Sequence, residues 1–311
     1  ARHKLLSTFR HNQPSGKDKK VQMQGYRPDV TESFKPVRLP IKNLVSHSMS
    51  PESITIEPLI EAARRGGDLV RTYFGQALEI TQKSTLADVR TKADLESEAA
   101  ILEVLTAAFP TFNILAEEQG EIARGSDYTF VIDPLDGTNN FTLGIPNFGV
   151  SIGLLHHDTI IAGVIHFPLL DQTFHAQKGQ GAFLNGQPIH VSKTTDIKNA
   201  TIAHTCTYTT PLPRIDAVFH NLFLAGTKRI ITSWCSTSDL CLLAMGKIDG
   251  MVNDNTELYD FGAGKLIATD AGAHITCFNN ETPTSDRERI FLLSNTPEMH
   301  EQLLKMVQNV E

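Results

Sequence analysis

Two carboxylates three residues apart, Asp133 and Asp136, stand in the run Phe130-Val131-Ile132-Asp133-Pro134-Leu135-Asp136-Gly137-Thr138-Asn139-Asn140-Phe141. The apolar residues before Asp133 read as the end of a buried strand. Pro134 cannot continue it, because it has no N–H for the ladder. Gly137 accepts backbone conformations that other residues avoid. The spacing predicts a tight turn that brings both carboxylates and the Leu135 carbonyl toward one point, an all-oxygen donor set of the kind that holds Mg²⁺. Gly137 and Thr138 then offer backbone N–H groups where a short helix begins, a setting suited to phosphate oxygens. A plain Asx-rich surface turn uses the same residue types, and the full string decides between the two.

That string resembles the signature of the inositol monophosphatase superfamily, Mg²⁺-dependent phosphomonoesterases with an Asp-Pro-Leu/Ile-Asp-Gly-Thr turn. Three further segments are similar to the family's pattern, in its order and near its spacing. Ala116-Glu117-Glu118 resembles the acidic pair upstream of the signature. Tyr259-Asp260-Phe261-Gly262-Ala263-Gly264 resembles the distal Trp-Asp-x-small-small-small motif. Residues 83–94 resemble the segment whose final Asp pairs with the signature threonine.

The resemblance implies an α/β (α+β) fold, a layered αβαβα sandwich of the inositol monophosphatase and fructose-1,6-bisphosphatase type, assembled as a homodimer. It implies Mg²⁺ as cofactor: one ion on Glu117, Asp133 and the Leu135 carbonyl, activating the attacking water. A second ion on Asp133, Asp136 and Asp260 stabilises the leaving alkoxide, and a third, weaker one lies near Glu117. Such ions supply most of what phosphate-ester hydrolysis needs from a protein: charge neutralisation and an in-line water. By the same resemblance Asp94 accepts from the Thr138 hydroxyl, Thr138 acts as a general-base relay and Glu118 supports Glu117. The Gly137 and Thr138 N–H groups hold the phosphate, and Asp136 and Asn253 face the substrate.

The implied activity is hydrolysis of a small phosphomonoester, with inositol monophosphate as the default substrate. Three departures bear on that substrate. Tyr259 stands where Trp is usual, as in the histidinol-phosphatase branch, which makes histidinol phosphate the alternative. Asn253 stands seven residues before Asp260, where inositol-specific members carry Glu. Residues 231–236 lack the Arg-x-x-Gly-Ser type of run that often lines the alcohol pocket. A further alternative is a non-catalytic, metal-binding regulatory protein on the same fold; loss of a ligand would favour it, and the ligand positions are all filled.

Composition sets the wider limits. With 41% apolar and 20% charged residues the chain has the make-up of an ordinary globular protein. No apolar run approaches the roughly 20 residues of a membrane span. The net charge of −7 hides an asymmetry: residues 1–50 carry ten Lys/Arg against three Asp/Glu, and the remainder carries 18 against 32. An acidic body argues against nucleic acid as the main partner. The cysteines, Cys206, Cys235, Cys241 and Cys277, form no CxxC pair and are read as buried thiols of a reducing, cytoplasmic compartment.

Residues 1–50, with their Lys17–Lys20 cluster, show no sustained period and read as a flexible leader: a remnant of expression, an organelle-targeting segment or a native extension. Helical spacing follows over 59–74, stopped by Gly75, and over 95–109, stopped by Pro110. Strands are expected at 148–156 and 159–167, joined at His157-Asp158, and at 172–177 and 181–184, with Asn185-Gly186 as a turn. From about Ser192 the pattern alternates: strands at 200–205, 228–231, 248–252 and 290–293, helices at 236–245, 260–271 and 297–307. The reading is two mixed α/β halves, 51–195 carrying the metal-binding turn and 196–311 supplying Asp260 and the substrate pocket, with the acids meeting between them.

Overall fold

The computed structural model describes residues 54–76, 80–82 and 89–308. The leader at 1–50, its Lys17–Lys20 cluster and residues 83–88 lie outside the described residues. Glu57 and Pro58 open α1 (Glu57–Tyr73), which buries Leu59, Ala62, Ala63 and Val70. An antiparallel pair, β1 (Ile80–Gln82) and β2 (Val89–Thr91), leads into α2 (Lys92–Ala108). That helix starts three residues earlier than its apolar period suggests, because a capping box fixes it: Thr91 Oγ1 accepts from Ala93 N, and Asp94 Oδ2 accepts from Thr91 N at 2.8 Å.

β3 (Asn113–Ala116), β4 (Gly120–Ile122) and β5 (Tyr128–Asp136) precede a short helix, α3 (Thr138–Thr142). A meander follows: β6 (Gly149–His156), β7 (Thr159–Phe167), β8 (Gln172–Gln177), β9 (Ala182–Leu184) and β10 (Gln187–Ile189). Asn185 and Gly186 join the last two strands with φ of +48° and +77°, both positive, as a two-residue hairpin turn requires. The remaining elements are β11 (Thr201–Cys206), α4 (Leu212–Leu224), β12 (Arg229–Ile231), α5 (Ser236–Ala244), β13 (Gly250–Asp254), α6 (Leu258–Asp270), β14 (His274–Thr276), β15 (Ile290–Ser294) and α7 (Pro297–Val307).

Two larger sheets result, both within the unit Met49–Glu311. One has eight strands in the order β10-β9-β8-β7-β6-β5-β3-β4, the other five in the order β12-β11-β13-β15-β14. Side-chain alternation along the strands fixes the layers. Phe130, Ile132 and Leu154 point into a core shared with α1 and α2. Val131, Leu155 and Ile165 point the other way, against α5 and α6, which are covered on their far side by Ala203, Met251 and Leu293 of the smaller sheet. Ile202, Val252 and Leu292 leave that sheet's second face to α4 and α7, through Val218, Leu222, Met299 and Leu303. The order helix, sheet, helix, sheet, helix is the expected αβαβα sandwich. Among the described residues no helix is long and apolar enough to cross a membrane.

α6 lies unusually close to the larger sheet and to α5. A Cβ on Gly163 would meet the Ala263 carbonyl oxygen at 2.9 Å, one on Gly262 the Ile160 Cδ1 at 2.7 Å, and one on Gly264 the Leu240 side chain at 2.6 Å. The Gly-Ala-Gly run is therefore a seat. It lets the start of α6 reach the end of β5.

Candidate active site

The site begins where β5 stops pairing regularly. Its register with β6 shifts between Asp133, opposite Ser151, and Asp136, opposite Gly149. Pro134 has no N–H to give, and its carbonyl accepts from Ser97 Oγ at 2.9 Å, which ties the irregular stretch to α2. Within the turn Leu135 N donates to Asp133 Oδ1 at 2.9 Å. Gly137 reverses the chain at φ +87°, and a Cβ there would lie 2.8 Å from the Asn147 carbonyl oxygen, so conformation and space both require glycine.

Each acid is held by an element of its own. Asp136 Oδ2 accepts from Thr237 N at 2.8 Å, Thr237 Oγ1 at 2.5 Å and Cys235 Sγ at 3.3 Å, all at the start of α5. Asp260 is the third residue of α6, and its Oδ2 accepts from Glu257 N at 2.9 Å. Glu117 follows β3, where its N–H continues the ladder to the Ile132 carbonyl at 3.1 Å. One oxygen each from Asp133, Asp136 and Asp260 lie within 4.8 Å of one another. Glu117 lines the same cleft of about 380 Å³, with Leu135, Gly137 and Thr138. Thr138 Oγ1 has two acceptors, Asp94 Oδ1 at 3.1 Å and the Leu135 carbonyl at 2.9 Å. Asp94 Oδ2 is occupied by Thr91 N and Oγ1, so the Asp94 carboxylate cannot swing away.

The electrostatics are those of a buried acid cluster. Burial pushes the Asp133 carboxyl well above its ordinary range, and the charges of Glu117, Asp136 and Asp260 add to the rise. Burial and the charges of Asp136 and Glu117 do the same to Asp260. Burial raises Asp136 too, against the hydrogen bonds from Thr237. The Tyr259 phenol is raised by burial and by the neighbouring charges of Glu117, Asp260 and Asp133. Among the described residues lining the cleft, the one basic side chain is Arg289. Its guanidinium is engaged by the Thr256 and Asn255 carbonyls and by Glu257 Oε1 at 2.6 Å. Converging carboxylate oxygens and a nearby carbonyl fit a hard divalent cation.

One expected residue lies elsewhere. Asn253 is not brought to the cleft. It is fully buried on β13, its Nδ2 donating to the Arg289 carbonyl at 2.7 Å and its Oδ1 accepting from Thr256 Oγ1 at 2.9 Å. Counting back from Asp260 gives a position in the chain, but strand pairing turns that position into the core. Glu118, next to Glu117 in the chain, pairs with Arg90 at 3.3 Å, while its N–H donates to Glu98 Oε2 at 2.9 Å.

The cleft also gains residues that the sequence reading passed over. Thr205, Thr207, Tyr208 and Thr209 line it from β11 and the loop beyond, with Trp234 and Ser236 at the start of α5. The available signal was the hydroxyl-rich run Thr205-Cys206-Thr207-Tyr208-Thr209-Thr210 directly after a strand. The cysteines are free thiols, and Cys235 and Cys241 are buried.

Comparison with known proteins bears on the family and the fold. Residues 52–311 match the family model described as the inositol monophosphatase family. The chain is 30% identical over 251 residues to a fructose-1,6-bisphosphatase/inositol-1-monophosphatase of Thermotoga maritima, covering 81% of this chain and 94% of that protein. It is 33% identical over 303 residues to the chloroplastic phosphatase IMPL1 of Arabidopsis thaliana, covering 93% of this chain and 78% of that protein. Among solved structures, the extragenic suppressor protein suhB of Bartonella henselae superposes with a TM-score of 0.77 at 30% identity, covering 82% of this chain and 98% of that one.

Proposed function

The chain belongs to the inositol monophosphatase family, and from that premise we propose that it is a Mg²⁺-dependent phosphatase of a small phosphomonoester, with inositol monophosphate as the default substrate. The observation that carries the reading is the convergence of Asp133, Asp136 and Asp260 within 4.8 Å, directly before the Gly137–Thr138 turn. In this reading Glu117, Asp133, Leu135 (through its carbonyl), Asp136 and Asp260 hold two Mg²⁺ ions. When bound, Mg²⁺ neutralises phosphate charge and makes a water more acidic.

The chain's own groups do the rest. The N–H groups of Gly137 and Thr138 hold phosphate oxygens and orient the phosphorus. Thr138 Oγ1 takes a proton from the attacking water as its own moves to Asp94 Oδ1, the contact at 3.1 Å. The P–O bond to the alcohol breaks, and the alkoxide leaves protonated by solvent. The segments 51–195 and 196–311 act together here, the first bringing the turn and the second Asp260. Assembly as a homodimer belongs to the same reading.

The relative named suhB, an extragenic suppressor, keeps a regulatory reading in view. The complete acid set favours turnover over it. Histidinol phosphate remains the substrate that Tyr259 would suggest. A phosphate-release screen over a panel of phosphomonoesters, with Mg²⁺ and with EDTA, separates these readings. Release is expected only with Mg²⁺, and highest for inositol monophosphate. No release from any ester at saturating Mg²⁺ would leave only the regulatory role. The basic residues 1–50 suit an organelle-targeting segment as well as a cytoplasmic leader, and the Arabidopsis relative is a chloroplastic protein.

A further inference from the structure

Trp234 is held in a conformation that its side chain does not favour. It adopts φ +54°, in the left-handed region. Every other described non-glycine residue with positive φ is His, Asp or Asn, for which that region is ordinary or tolerated; a bulky aromatic there is an outlier. Its surroundings enforce it. Asn140 Nδ2 donates to the Ser233 carbonyl at 2.8 Å and to the Trp234 carbonyl at 3.4 Å, and Asn147 Nδ2 donates to the Ser233 carbonyl at 3.3 Å. Ser233 Oγ closes the turn onto Cys235 at 3.0 Å, and Cys235 Sγ reaches Asp136 Oδ2. The backbone of Trp234 is thus tied to the segment after Gly137 and, through Cys235, to the acid cluster.

Nothing in this arrangement buries the indole. Trp234 remains 47% exposed at the wall of the cleft, and its ring stacks on Tyr208, with centroids 5.1 Å apart and planes 20° from parallel. Tyr208 is itself fixed, because Asn139 Nδ2 in α3 donates to its hydroxyl. Strain that contributes no core burial, kept by a dense hydrogen-bond net beside a cleft, is characteristic of a contact surface. The wall also carries Thr207 and Thr209, whose hydroxyls meet at 2.9 Å. A flat π-face among hydroxyl groups suits a ligand with an apolar ring face and a polar ring edge.

We propose that Trp234, braced by Tyr208, is the specificity platform for the alcohol part of the substrate, and that it selects a cyclic polyol, a sugar or cyclitol ring, over an acyclic alcohol of similar charge. The inference rests on the phosphatase reading for its substrate and extends it to the residue that chooses the alcohol. Face-to-ring packing of this kind is worth about three- to tenfold in affinity.

Trp234 is the sole tryptophan of the chain, so its emission tests the contact without relying on turnover. Stopped-flow titration of the full chain with myo-inositol 1-phosphate, in Mg²⁺ and read before product accumulates, is expected to change the emission saturably. Glycerol 2-phosphate and inorganic phosphate should half-saturate at concentrations at least about threefold higher, or give no change. Equal responses to all three would overturn the proposal. In steady state, Trp234→Ala should raise KM for the cyclic substrate about three- to tenfold relative to glycerol 2-phosphate, with the loss in KM rather than kcat. Trp234→Phe should restore most of the ratio. A ratio unmoved in Trp234→Ala would also overturn it. If the wild-type chain releases no phosphate from any ester, the phosphatase reading fails on that result alone, and the emission titration still decides whether Trp234 meets the ring.

Discussion

Asp133 has one oxygen engaged by Leu135 N at 2.9 Å and sits among Glu117, Asp136 and Asp260, whose charges all raise its carboxyl. An asparagine in its place retains an oxygen for the Leu135 bond and removes one charge from the cluster. Asp133→Asn is therefore expected to fold, to melt higher than wild type in EDTA at pH 8, and to lose phosphatase activity by about a hundredfold or more. Circular dichroism melts and phosphate release at saturating Mg²⁺ check the two halves of this expectation. Activity within about threefold of wild type would remove Asp133 from the metal site. At this scale the sequence was informative where a residue's role follows from its own turn. Asp133, Asp136, Gly137 and Thr138 meet because Pro134 and Gly137 leave the chain little choice. Asn253 was misleading for the opposite reason. Its fate is set by pairing of β13 with β11 and β15, contacts with segments far along the chain that no local pattern reports.

At the level of elements, α6 shows how a helix can be placed by what it lacks. Asp260 reaches the acid cluster because Gly163 of β7 lets the Ala263 backbone come within van der Waals contact. Gly163→Ala would put a methyl 2.9 Å from the Ala263 carbonyl oxygen and 3.0 Å from its Cα, neither of which is the tip of a flexible side chain. The variant is expected to lose about 1–3 kcal/mol in urea denaturation, the usual cost of overpacking. It should also require a higher Mg²⁺ concentration for half-maximal activity, because Asp260 moves with its helix. A stability loss with an unchanged Mg²⁺ requirement would show that the start of α6 is positioned by its capping box alone. The long elements of this layer were legible. α1, α2, α7 and the β6–β7 hairpin follow their apolar periods to within three residues at either end. α4 was not, because Pro211 and Pro213 flank its first residue and read as a break; here Pro213 falls in the first turn, where a missing N–H costs nothing. Of the seven described three-residue strands, β9 and β12 were expected, while β1, β2, β4, β10 and β14 show no period and exist through their partners.

For the whole molecule, the acid cluster ties stability to pH and to metal. The ordinary carboxyl value for aspartate is 3.8, and Asp133, Asp136 and Asp260 all lie above it in the folded chain. Asp239, fully buried on α5 with its Oδ2 accepting from Thr205 Oγ1, is raised to about 7 by burial. A raised carboxyl means that the folded state binds protons the unfolded state has already released. Stability then falls as pH rises from about 4 through the folded values. In EDTA the melting temperature is accordingly expected to decline between pH 5 and pH 8. A dication on Asp133, Asp136 and Asp260 favours their charged forms and should recover most of that loss, adding about 2.7 kcal/mol at a hundredfold excess over Kd. Asp239 holds none of these ions in our reading, so a smaller decline up to about pH 7 should persist in saturating Mg²⁺. Asp239→Asn should flatten that residual slope, because an amide does not titrate and its oxygen can still accept from Thr205. Melts of both chains across this pH range, with EDTA and with Mg²⁺, give four curves. If Mg²⁺ raised the wild-type midpoint equally at pH 5 and pH 8, the protons would not be displaced by the metal, and the acids would not be its ligands. If Asp239→Asn left the slope in Mg²⁺ unchanged, the residual pH dependence would belong to other groups, and the buried Asp239 carboxyl would not be its source.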